Sequence, residues 1–386
     1  MSSLGPVTLL MYDCHGRGGV ARSVLTLAAQ LAGRHDVRVV SLFASEQPHF
    51  PLDPRVELEV LLPGAPGARR RLARLPRPVA RPETALRPLP SEDYLSQLTD
   101  RVLRRRLSRV EPGTLISTRP SLHLAAVRWC PSDVRLVGWD HRNFPTRFAN
   151  PRQAALLTEV VPALDAYVVL TNADAEDYRR ELPAMGTRVE VIRNALPWPP
   201  AEQPAPLAAR TVVAAGRLTR EKGFDRLVDA FAPVARDHPA WRLLILGEGR
   251  QRNALCAQVE ALGLADQVLL PGHVDDLAPV LRETSLLAMT SRAEGFPMVL
   301  IEAMSQGLPV VAMDCPRGPA EIVRDGKNGL LVPDGDVAAM TAALRLLVED
   351  EDLRRGYGAR ARCDAAQYAP SRVADDWRGL LDGLDD

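Results

Sequence analysis

The sequence has few lysines, few cysteines and no long apolar run. It contains 386 residues and 48 basic side chains, but its only lysines are Lys222 and Lys327. The 5 cysteines show no C-x-x-C or metal-ligand spacing, so we expect free thiols in a reducing compartment. No apolar stretch reaches about 18 residues, which argues against a membrane-spanning helix. No basic and apolar leader precedes the first predicted strand, and we therefore expect a cytoplasmic protein.

Length and charge predict two domains of different character. A chain of 386 residues is too long for one ordinary core, and two domains of roughly 180 residues each are expected. Residues 1–200 hold 27 basic and 20 acidic side chains, whereas the remainder holds 21 and 28. A basic first half is typical of proteins that meet a membrane surface or a phosphate-rich acceptor, and it is equally compatible with a solvated arginine-rich surface. We expect no nucleic-acid partner.

The stretch LLAMTSRAEGFPMVLIEAMSQGLPVVAMD at 286–314 organises the second half of the chain. Its pattern predicts a strand, a loop, a helix and a second strand. Pro297 suits the first helical position, because a proline there loses no hydrogen bond. The N–H groups of Gly295 and Phe296 would then lie at the positive end of the helix, where a phosphate binds without a metal.

Two carboxylates flank this predicted anion site. Glu294 precedes the helix, and Glu302 lies about 12 Å further along its axis, at ~1.5 Å per residue. Because a carboxylate accepts two hydroxyl protons at once, it suits a polyol. The spacing fits a bent nucleotide-sugar, with one glutamate on the sugar, the other on the ribose and the diphosphate between them. It fits two surface glutamates equally well.

A second predicted loop carries two cations. It follows the strand pattern at 211–215 and holds Arg217 and Lys222, just before the helix that starts near Phe224. An arginine fork and a lysine point charge together suit a diphosphate. The pattern G-x-x-x-x-G-K-[ST] is absent, so this is not a Walker loop. Spacing alone is also compatible with two solvated surface charges.

A third predicted loop is rich in glycine. The buried-strand pattern at 7–13 leads into CHGRGG and then a helix, which places Gly16, Gly18 and Gly19 between them. Such a loop allows a ligand to approach the backbone closely. The full dinucleotide spacing is missing, and a plain tight turn is the alternative interpretation.

Taken together, these motifs resemble the retaining nucleotide-sugar glycosyltransferases of family 4, which have the GT-B fold. The resemblance rests on EGFPMVLIEAMSQGLPVVA at 294–312, GRLTREKGFDRLV at 216–228 and CPRGPAEIVRDGKNGLLVPDGD at 315–336. It implies an α/β protein of two doubly wound Rossmann-like domains that face each other across a cleft. The first domain would take the acceptor and the second the nucleotide-sugar donor.

The resemblance also implies a reaction. A sugar would pass from a nucleotide-sugar, a UDP-hexose or UDP-N-acetylhexosamine, to an acceptor hydroxyl without a metal or other cofactor. The acceptor would be a saccharide, a polyol-phosphate polymer or a small molecule. The implied catalytic residues are His141, Arg217, Lys222 and Glu294. The implied donor-binding residues are Gly18, Gly19, Arg217, Lys222, Glu294, Gly295, Phe296 and Glu302.

His141 follows the predicted strand at 135–139, within GWDHRNF. It would lie at the carboxyl edge of the sheet, where doubly wound folds bind ligands. In family 4 an amino-domain histidine lies beside the transferred sugar, and the resemblance assigns this place to His141. A subset that includes the poly(glycerol phosphate) glycosyltransferases has a Glu-His pair here, whereas this chain has Asp140 before the histidine. His123 is the second candidate for the same role.

The predicted domains span residues 1–198 and 199–368. The proline-rich segment LPWPPAEQPAPL at 196–207 links them, because it can form neither a helix nor a central strand. A closing helix at 369–386 is expected to cross back onto the first domain.

Two further stretches of the first domain are rich in arginine. Residues 64–90 are rich in proline and arginine and predict an extended surface insertion. Residues 94–110 predict an amphipathic basic helix. Its apolar side would hold Leu95, Leu98, Val102 and Leu103. This helix either packs on the sheet with its arginines in solvent or binds a membrane surface or polyanion, which would bring the protein to the inner face of the membrane.

Two other functions are compatible with such a fold. A nucleotide-sugar epimerase would also bind UDP in the second domain, but it would consume the donor without an acceptor. A catalytically silent regulatory protein that binds a nucleotide-sugar would be expected to lack Lys222, Glu294 or Glu302. All three are present.

Overall fold

The structure is a computed structural model. It describes residues 5–16, 18–44, 47–64, 84–86, 95–182, 187–199, 201 and 203–385. The insertion predicted at 64–90 lies almost wholly outside these residues. The chain divides into two compact units, one of Met1–Pro197 with Pro370–Asp386 and one of Trp198–Ala369.

The first unit is a parallel sheet with helices on its faces. Its described strands are β1 (Val7–Asp13), β2 (Val37–Ala44), β3 (Glu57–Pro63), β4 (Gly113–Ser117), β5 (Val134–Trp139), β6 (Ala166–Val169) and β7 (Arg188–Val191). Its described helices are α1 (Gly19–Leu31), α2 (Gln97–Leu107), α3 (Pro120–Trp129), α4 (Phe144–Phe148), α5 (Pro151–Val160), α6 (Asn172–Glu181) and α14 (Pro370–Asp385). The strand order is β3-β2-β1-β4-β5-β6-β7, so the winding reverses between β1 and β4.

Continuous apolar strands explain this architecture. β1 reads VTLLMYD, and every residue before Asp13 is buried. A parallel strand is covered by helices on both sides, so both of its faces must be apolar. The carboxyl ends of β1, β4 and β5 therefore form an edge where polar residues follow a buried core.

Helix α14 closes the first unit. The buried ring of Trp377 meets Trp139 edge to face, with ring centroids 4.9 Å apart. Arg378 Nη2 donates a hydrogen bond to the carbonyl oxygen of Gln30 on α1 at 3.1 Å. The closing helix thus contributes its apolar side to the core of the first unit.

Helix α2 is shorter than the sequence predicts, and one leucine was assigned to the wrong face. The helix spans Gln97–Leu107, and Leu98 is 45% exposed. Ser96 starts it, since the N–H of Ser96 donates to Thr99 Oγ1 at 2.8 Å. Leu95 therefore precedes the helix and does not set its phase. Leu98 instead shares the solvent face with arginines one and two turns further on.

The second unit has the same construction. Its strands are β8 (Thr211–Ala215), β9 (Arg242–Leu246), β10 (Val268–Gly272), β11 (Leu286–Met289), β12 (Val310–Asp314) and β13 (Gly329–Pro333). Its helices are α7 (Phe224–Asp237), α8 (Arg252–Ala261), α9 (Leu277–Arg282), α10 (Met298–Ser305), α11 (Pro319–Ile322), α12 (Val337–Glu349) and α13 (Glu351–Ala365). The parallel order β10-β9-β8-β11-β12-β13 reverses between β8 and β11.

Both units are thus doubly wound α/β sheets, which confirms the predicted fold class. In such sheets the crevice at the reversal binds ligands, because the loops on either side of it leave in opposite directions. The second unit has its reversal where the sequence places Lys222 and Glu294.

Candidate active site

Two loops meet at the reversal of the second sheet. The lysine loop, residues 216–223, joins β8 to α7, and the glutamate loop, residues 290–297, joins β11 to α10. Because β8 and β11 are adjacent parallel strands, both loops leave the same edge of the sheet. The site predicted from sequence therefore lies where the topology opens a crevice.

Lys222 and Glu294 form a direct ion pair between these loops. Lys222 Nζ lies 2.6 Å from Glu294 Oε1, and Ser291 Oγ donates to the same oxygen at 2.6 Å. The Glu294 side chain is only 9% exposed and that of Lys222 is 23% exposed. A buried carboxylate needs a compensating charge and hydrogen bonds, and the lysine and serine supply both.

Gly223 allows the two loops to touch. It adopts a left-handed conformation with φ of 65°, and an added Cβ would lie 2.1 Å from the carbonyl oxygen of Thr290. Thr290 Oγ1 in turn donates to the Gly223 carbonyl oxygen at 2.8 Å. Only glycine avoids both the backbone strain and the overlap. The lysine loop is thereby held against the end of β11.

The start of α10 offers backbone donors beside Glu294. Helix α10 begins at Met298, and Pro297 precedes it as N-cap with ψ of 89°. The prediction that Pro297 is the first helical residue was therefore one residue early, since its ψ lies outside the helical range. Within the described residues, the N–H groups of Gly295, Phe296 and Met298 donate to no acceptor. Such groups at a helix start favour an anion.

The other predicted donor-site residues of this unit differ in exposure. Arg217 is exposed, and its guanidinium forms no ion pair with any residue that the structure describes. Glu302 lies on α10 and is only 4% exposed. Phe296 is buried and its ring meets Tyr368 edge to face, with centroids 5.7 Å apart.

Cys315 lies close behind the ion pair. Burial raises the pKa of its thiol to about 12, with a further increase from the Glu294 carboxylate and an opposing effect from Lys222. The thiol is therefore neutral at physiological pH. The loop after Cys315 supports the glutamate loop, since a Cβ added to Gly318 would lie 2.5 Å from Pro297 Cδ.

The glycine loop of the first unit is open. Gly18 is the N-cap of α1 and Gly19 its first residue, and both are exposed. A Cβ added to either would meet no described atom within 4 Å. Neither glycine is thus required by packing against the described residues.

Asp140 is a buried anchor at the carboxyl end of β5. Its carboxylate accepts hydrogen bonds from Arg147 Nη2 at 2.6 Å, Tyr167 Oη at 2.9 Å and Tyr178 Oη at 3.0 Å. The N–H of Arg142 also donates to it at 3.0 Å. Burial alone would raise the pKa of Asp140, but the Arg147 guanidinium and these hydrogen bonds lower it to about 2. Asp140 is thus committed to structure, and it fixes the turn that follows β5.

His141 is the next residue after this anchor. Its ring lies against Trp139, with centroids 4.4 Å apart, and its Nε2 is buried without a hydrogen-bond partner among the described residues. Burial lowers the pKa of His141 to about 3, an effect that Arg147 and Arg119 reinforce and Asp140 opposes. The imidazole is therefore neutral at pH 7.

His123, the second candidate, is a core residue. It is fully buried, its Nδ1 lies 2.7 Å from Ser117 Oγ, and its ring meets Tyr167 edge to face. A side chain in this position cannot reach a ligand while the sheet is intact. The structure therefore favours His141 over His123.

Sequence reasoning missed three residues near these sites. Ser291 bonds to Glu294, Arg292 joins the lysine and glutamate loops, and Arg119 stacks over the Tyr12 ring at 4.6 Å beside the end of β4. Each lies within three residues of a strand's carboxyl end. That position in a doubly wound sheet was the available signal.

The structure gives the Asp-Gly-Asp turn after β13 ordinary roles. Asp334 pairs with Arg226 at 2.9 Å, and Asp336 caps α12 by accepting the N–H of Ala339 at 2.8 Å. Among the described residues, no group of three or more histidine, cysteine and acidic side chains is placed to hold a metal. None of the helices in the described part has the length and apolar character needed to cross a membrane.

Two family models match the chain. The model described as glycosyl transferases group 1 matches residues 200–364, and the model described as Glycosyltransferase Family 4 matches residues 17–197. The chain belongs to these glycosyltransferases. This confirms the family that the sequence motifs resemble.

Two relatives of this glycosyltransferase have names that refer to a polysaccharide or a polyol phosphate. The chain is 34% identical over 395 residues to an exopolysaccharide phosphotransferase of Streptomyces coelicolor, covering 98% of this chain and 41% of that protein. It is 28% identical over 224 residues to a poly(glycerol-phosphate) alpha-glucosyltransferase of Bacillus subtilis, covering 57% of this chain and 33% of that protein. The chain thus spans less than half the length of either relative.

Solved structures share the fold of this glycosyltransferase. A mutant of TarM from S. aureus, crystallised with fondaparinux, alpha-GlcNAc-glycerol and UDP, superposes with a TM-score of 0.78 at 15% identity. The match covers 97% of this chain and 99% of that chain. A likeness at this identity supports the fold, and the two doubly wound units are those of a GT-B protein.

Proposed function

We propose that this glycosyltransferase transfers a sugar from a UDP-sugar to an acceptor hydroxyl, with retention of configuration and without a metal. The observation that carries the proposal is the ion pair of Lys222 and Glu294 at the reversal of the second sheet. The N–H groups at the start of α10 lie beside it. An ammonium and free amides suit a diphosphate, and a buried carboxylate suits sugar hydroxyls.

Donor binding divides between the lysine and glutamate loops. Arg217 and Lys222 neutralise the diphosphate, together with the N–H groups of Gly295 and Phe296. Glu294 accepts hydroxyl protons of the sugar, and Glu302 accepts those of the ribose. Lys222 and Glu294 already hold each other in place, so the donor exchanges one charge-assisted contact for others instead of ordering two free side chains.

The reaction needs no nucleophile from the protein. The bond between the anomeric carbon and the diphosphate oxygen breaks, and the acceptor oxygen bonds to the same face of that carbon. The acceptor proton passes to the leaving phosphate oxygen. Negative charge grows on the diphosphate in the transition state, where Arg217, Lys222 and the amides stabilise it more than in the bound donor. These groups supply the positive charge that a metal would otherwise provide.

We assign to His141 a contact with the transferred sugar. Because burial lowers its pKa to about 3, its ring is neutral at pH 7. A neutral imidazole forms a hydrogen bond to a hydroxyl without placing positive charge near an oxocarbenium-like sugar. Gly18 and Gly19 leave room for the donor to approach the first unit's backbone. 

For the acceptor we propose a saccharide or a polyol phosphate. The name of the Bacillus relative and the alpha-GlcNAc-glycerol in the TarM complex support this class. A glycerol or sugar hydroxyl has the reactivity that the mechanism requires. The proposal extends to the acceptor class and not to one compound.

We further propose that helix α2 brings the protein to the inner face of an anionic membrane from the cytoplasm. Arg101, Arg104, Arg105 and Arg109 are exposed, and none forms an ion pair with any part of the chain that the structure describes. Cations spaced three and four residues apart repel one another by a few tenths of a kcal/mol per pair, ~0.2–0.5. The exposed Leu98 extends the same face, and a leucine beside cations suits a lipid interface.

The experiment that tests the function is a product analysis by mass spectrometry. The protein is incubated with UDP-glucose, UDP-N-acetylglucosamine or UDP-galactose, with and without glycerol-phosphate oligomers or oligosaccharides. The proposal predicts a glycosylated acceptor and released UDP only when both substrates are present. Donor conversion without an acceptor indicates an epimerase, and UDP binding without turnover in any combination indicates a regulatory protein.

A further inference from the structure

Arg292 joins the lysine and glutamate loops. Its Nη1 and Nη2 donate to Oδ1 and Oδ2 of Asp225 at 2.9 and 2.6 Å. Nη1 also donates to the carbonyl oxygen of Arg220 at 2.7 Å, and the Arg292 N–H donates to that of Glu221 at 2.7 Å. One residue of the glutamate loop therefore makes four hydrogen bonds that end on the lysine loop or on the helix that follows it.

The residues that accept these hydrogen bonds lie on either side of Lys222 in the sequence. Arg220 and Glu221 begin the short 3₁₀ turn that ends with Lys222, and Asp225 is the second residue of α7. A 3₁₀ turn of three residues is weak by itself, because its hydrogen bonds are poorly aligned. Bonds to its carbonyl groups from Arg292 therefore fix the direction in which Lys222 leaves the turn.

The guanidinium of Arg292 has the geometry that these hydrogen bonds require. Its planar guanidinium donates two parallel bonds to the Asp225 carboxylate and a third to a carbonyl, a pattern that a lysine cannot reproduce. The hydrogen bonds that Arg292 donates to Asp225 lower the pKa of Asp225 and raise the pKa of Arg292. Both groups stay ionised at neutral pH, so the connection persists there.

We propose that Arg292 and Asp225 are positioning residues for the ion pair of Lys222 and Glu294. The proposal rests on the proposed function, because that function gives the ion pair its purpose. Arg292 and Asp225 do not contact the donor. They hold the lysine loop at a fixed distance from the glutamate loop, so that the diphosphate and the sugar meet Lys222 and Glu294 already placed. Small displacements of such groups are costly in rate, because catalysis depends on their geometry.

A double-mutant cycle tests this role. The value of kcat/KM is measured for wild type, Arg292→Lys, Lys222→Ala and the double variant. We expect Arg292→Lys to lower kcat/KM by about 10-fold in the wild-type background and by less than about 2-fold in the Lys222→Ala background, since it acts through Lys222. An equal fold-loss of kcat/KM in both backgrounds, or no loss in the wild-type background, would overturn the proposal. Asp225→Asn provides the same cycle if Arg292→Lys fails to fold.

The far end of α7 offers a matched control. Asp237, the last residue of that helix, pairs with Arg345. Arg345 lies on α12, so Arg345→Lys alters an ion pair that α7 makes far from the lysine loop. This variant should leave kcat/KM unchanged within about 2-fold. A wild-type protein that neither binds UDP nor transfers sugar would overturn the proposed function and this inference with it. Wild-type transfer with additive losses in the cycle would overturn the inference alone.

Discussion

Lys222 Nζ and Glu294 Oε1 lie 2.6 Å apart, although 72 residues separate them in the chain. Adjacent parallel strands bring their loops to one edge of the sheet, and Gly223 allows the loops to touch. In the proposed function, this contact places the cation assigned to the donor's phosphates next to the anion assigned to its hydroxyls.

Loss of the Lys222 or the Glu294 side chain should abolish most of the transferase activity. We expect Lys222→Ala and Glu294→Ala each to lower kcat/KM by two or more powers of ten, as loss of a charge-assisted contact of ~3 kcal/mol implies. Circular dichroism should show an unchanged fold. The chain's other lysine provides the control, because Lys327 is exposed and Lys327→Ala should retain wild-type activity. Near-full activity in Lys222→Ala or Glu294→Ala would remove that residue from the mechanism.

Alanine substitutions at two glycines distinguish the stability cost of backbone strain from that of overlap between the loops. Gly223 and Gly263 both have left-handed φ, 65° and 69°, but a Cβ on Gly263 meets no described atom within 4 Å. Gly263→Ala should therefore cost only the conformational strain of ~1–2 kcal/mol. Gly223→Ala adds the overlap with Thr290, and we expect a further ~1–3 kcal/mol together with weaker UDP binding. Urea unfolding and calorimetric titration with UDP measure the two effects, and equal losses in both variants would contradict the prediction.

Stability should fall as the pH is lowered below about 6.5, the pKa of a free histidine. Burial lowers the pKa of His123 to about 3, with Arg147 and His141 adding to the effect and Asp140 opposing it. Between these two values the unfolded chain binds a proton that the folded chain does not, which costs about 1.4 kcal/mol per pH unit. Between pH 6.5 and 5, the free energy of unfolding of His123→Asn should therefore fall by about 2 kcal/mol less than that of wild type. Denaturant unfolding at each pH measures this difference.

The control for this pH dependence is His273→Asn, because the His273 side chain is 41% exposed. This variant removes an exposed imidazole in place of a buried one, so a reduced slope that appears only in His123→Asn is assigned to His123. His141 remains in both variants and contributes in the same direction, so only part of the wild-type slope should disappear in His123→Asn. Parallel curves for wild type and His123→Asn would show that His123 is protonated at the same pH in both states.

Membrane binding through α2 should depend on charge. We expect the protein to sediment with vesicles of phosphatidylcholine and phosphatidylglycerol but not with phosphatidylcholine alone, and to be released by high salt. Arg101→Ala with Arg105→Ala should reduce binding, and Leu98→Ser should reduce it further. Arg236→Ala with Arg360→Ala removes two exposed arginines from the second unit and serves as the control. Equal binding by all variants would exclude α2 as the contact.

Turnover should be independent of divalent metal. We propose that Arg217, Lys222 and the helix amides supply the positive charge at the leaving diphosphate, so EDTA should leave the rate of UDP release unchanged. A rate that EDTA abolishes and Mg²⁺ restores would assign part of that charge to a metal. Calcium and manganese added after EDTA provide the comparison.

The sequence predicted a large part of the fold. The strands at 7–13 and 211–215 were located with the bounds found in the structure, because an apolar run that ends in glycine or a polar residue identifies a buried parallel strand. The closing helix and the helix after Glu294 were also located. Their boundaries shifted by one or two residues, as at Pro297, since a cap depends on backbone angles that composition does not report.

What the sequence determined by itself is local: which segments form strands and helices, where the glycines break them, and which loops carry Arg217, Lys222 and Glu294. Tertiary structure decided which side chains pair. Only the strand order brings Lys222 to Glu294, and only burial in the folded protein keeps His141 neutral and encloses His123 in the core. The physical reason is that local periodicity is encoded within a few neighbouring residues. Ion pairs and desolvation instead depend on residues that are distant in the chain and adjacent in space.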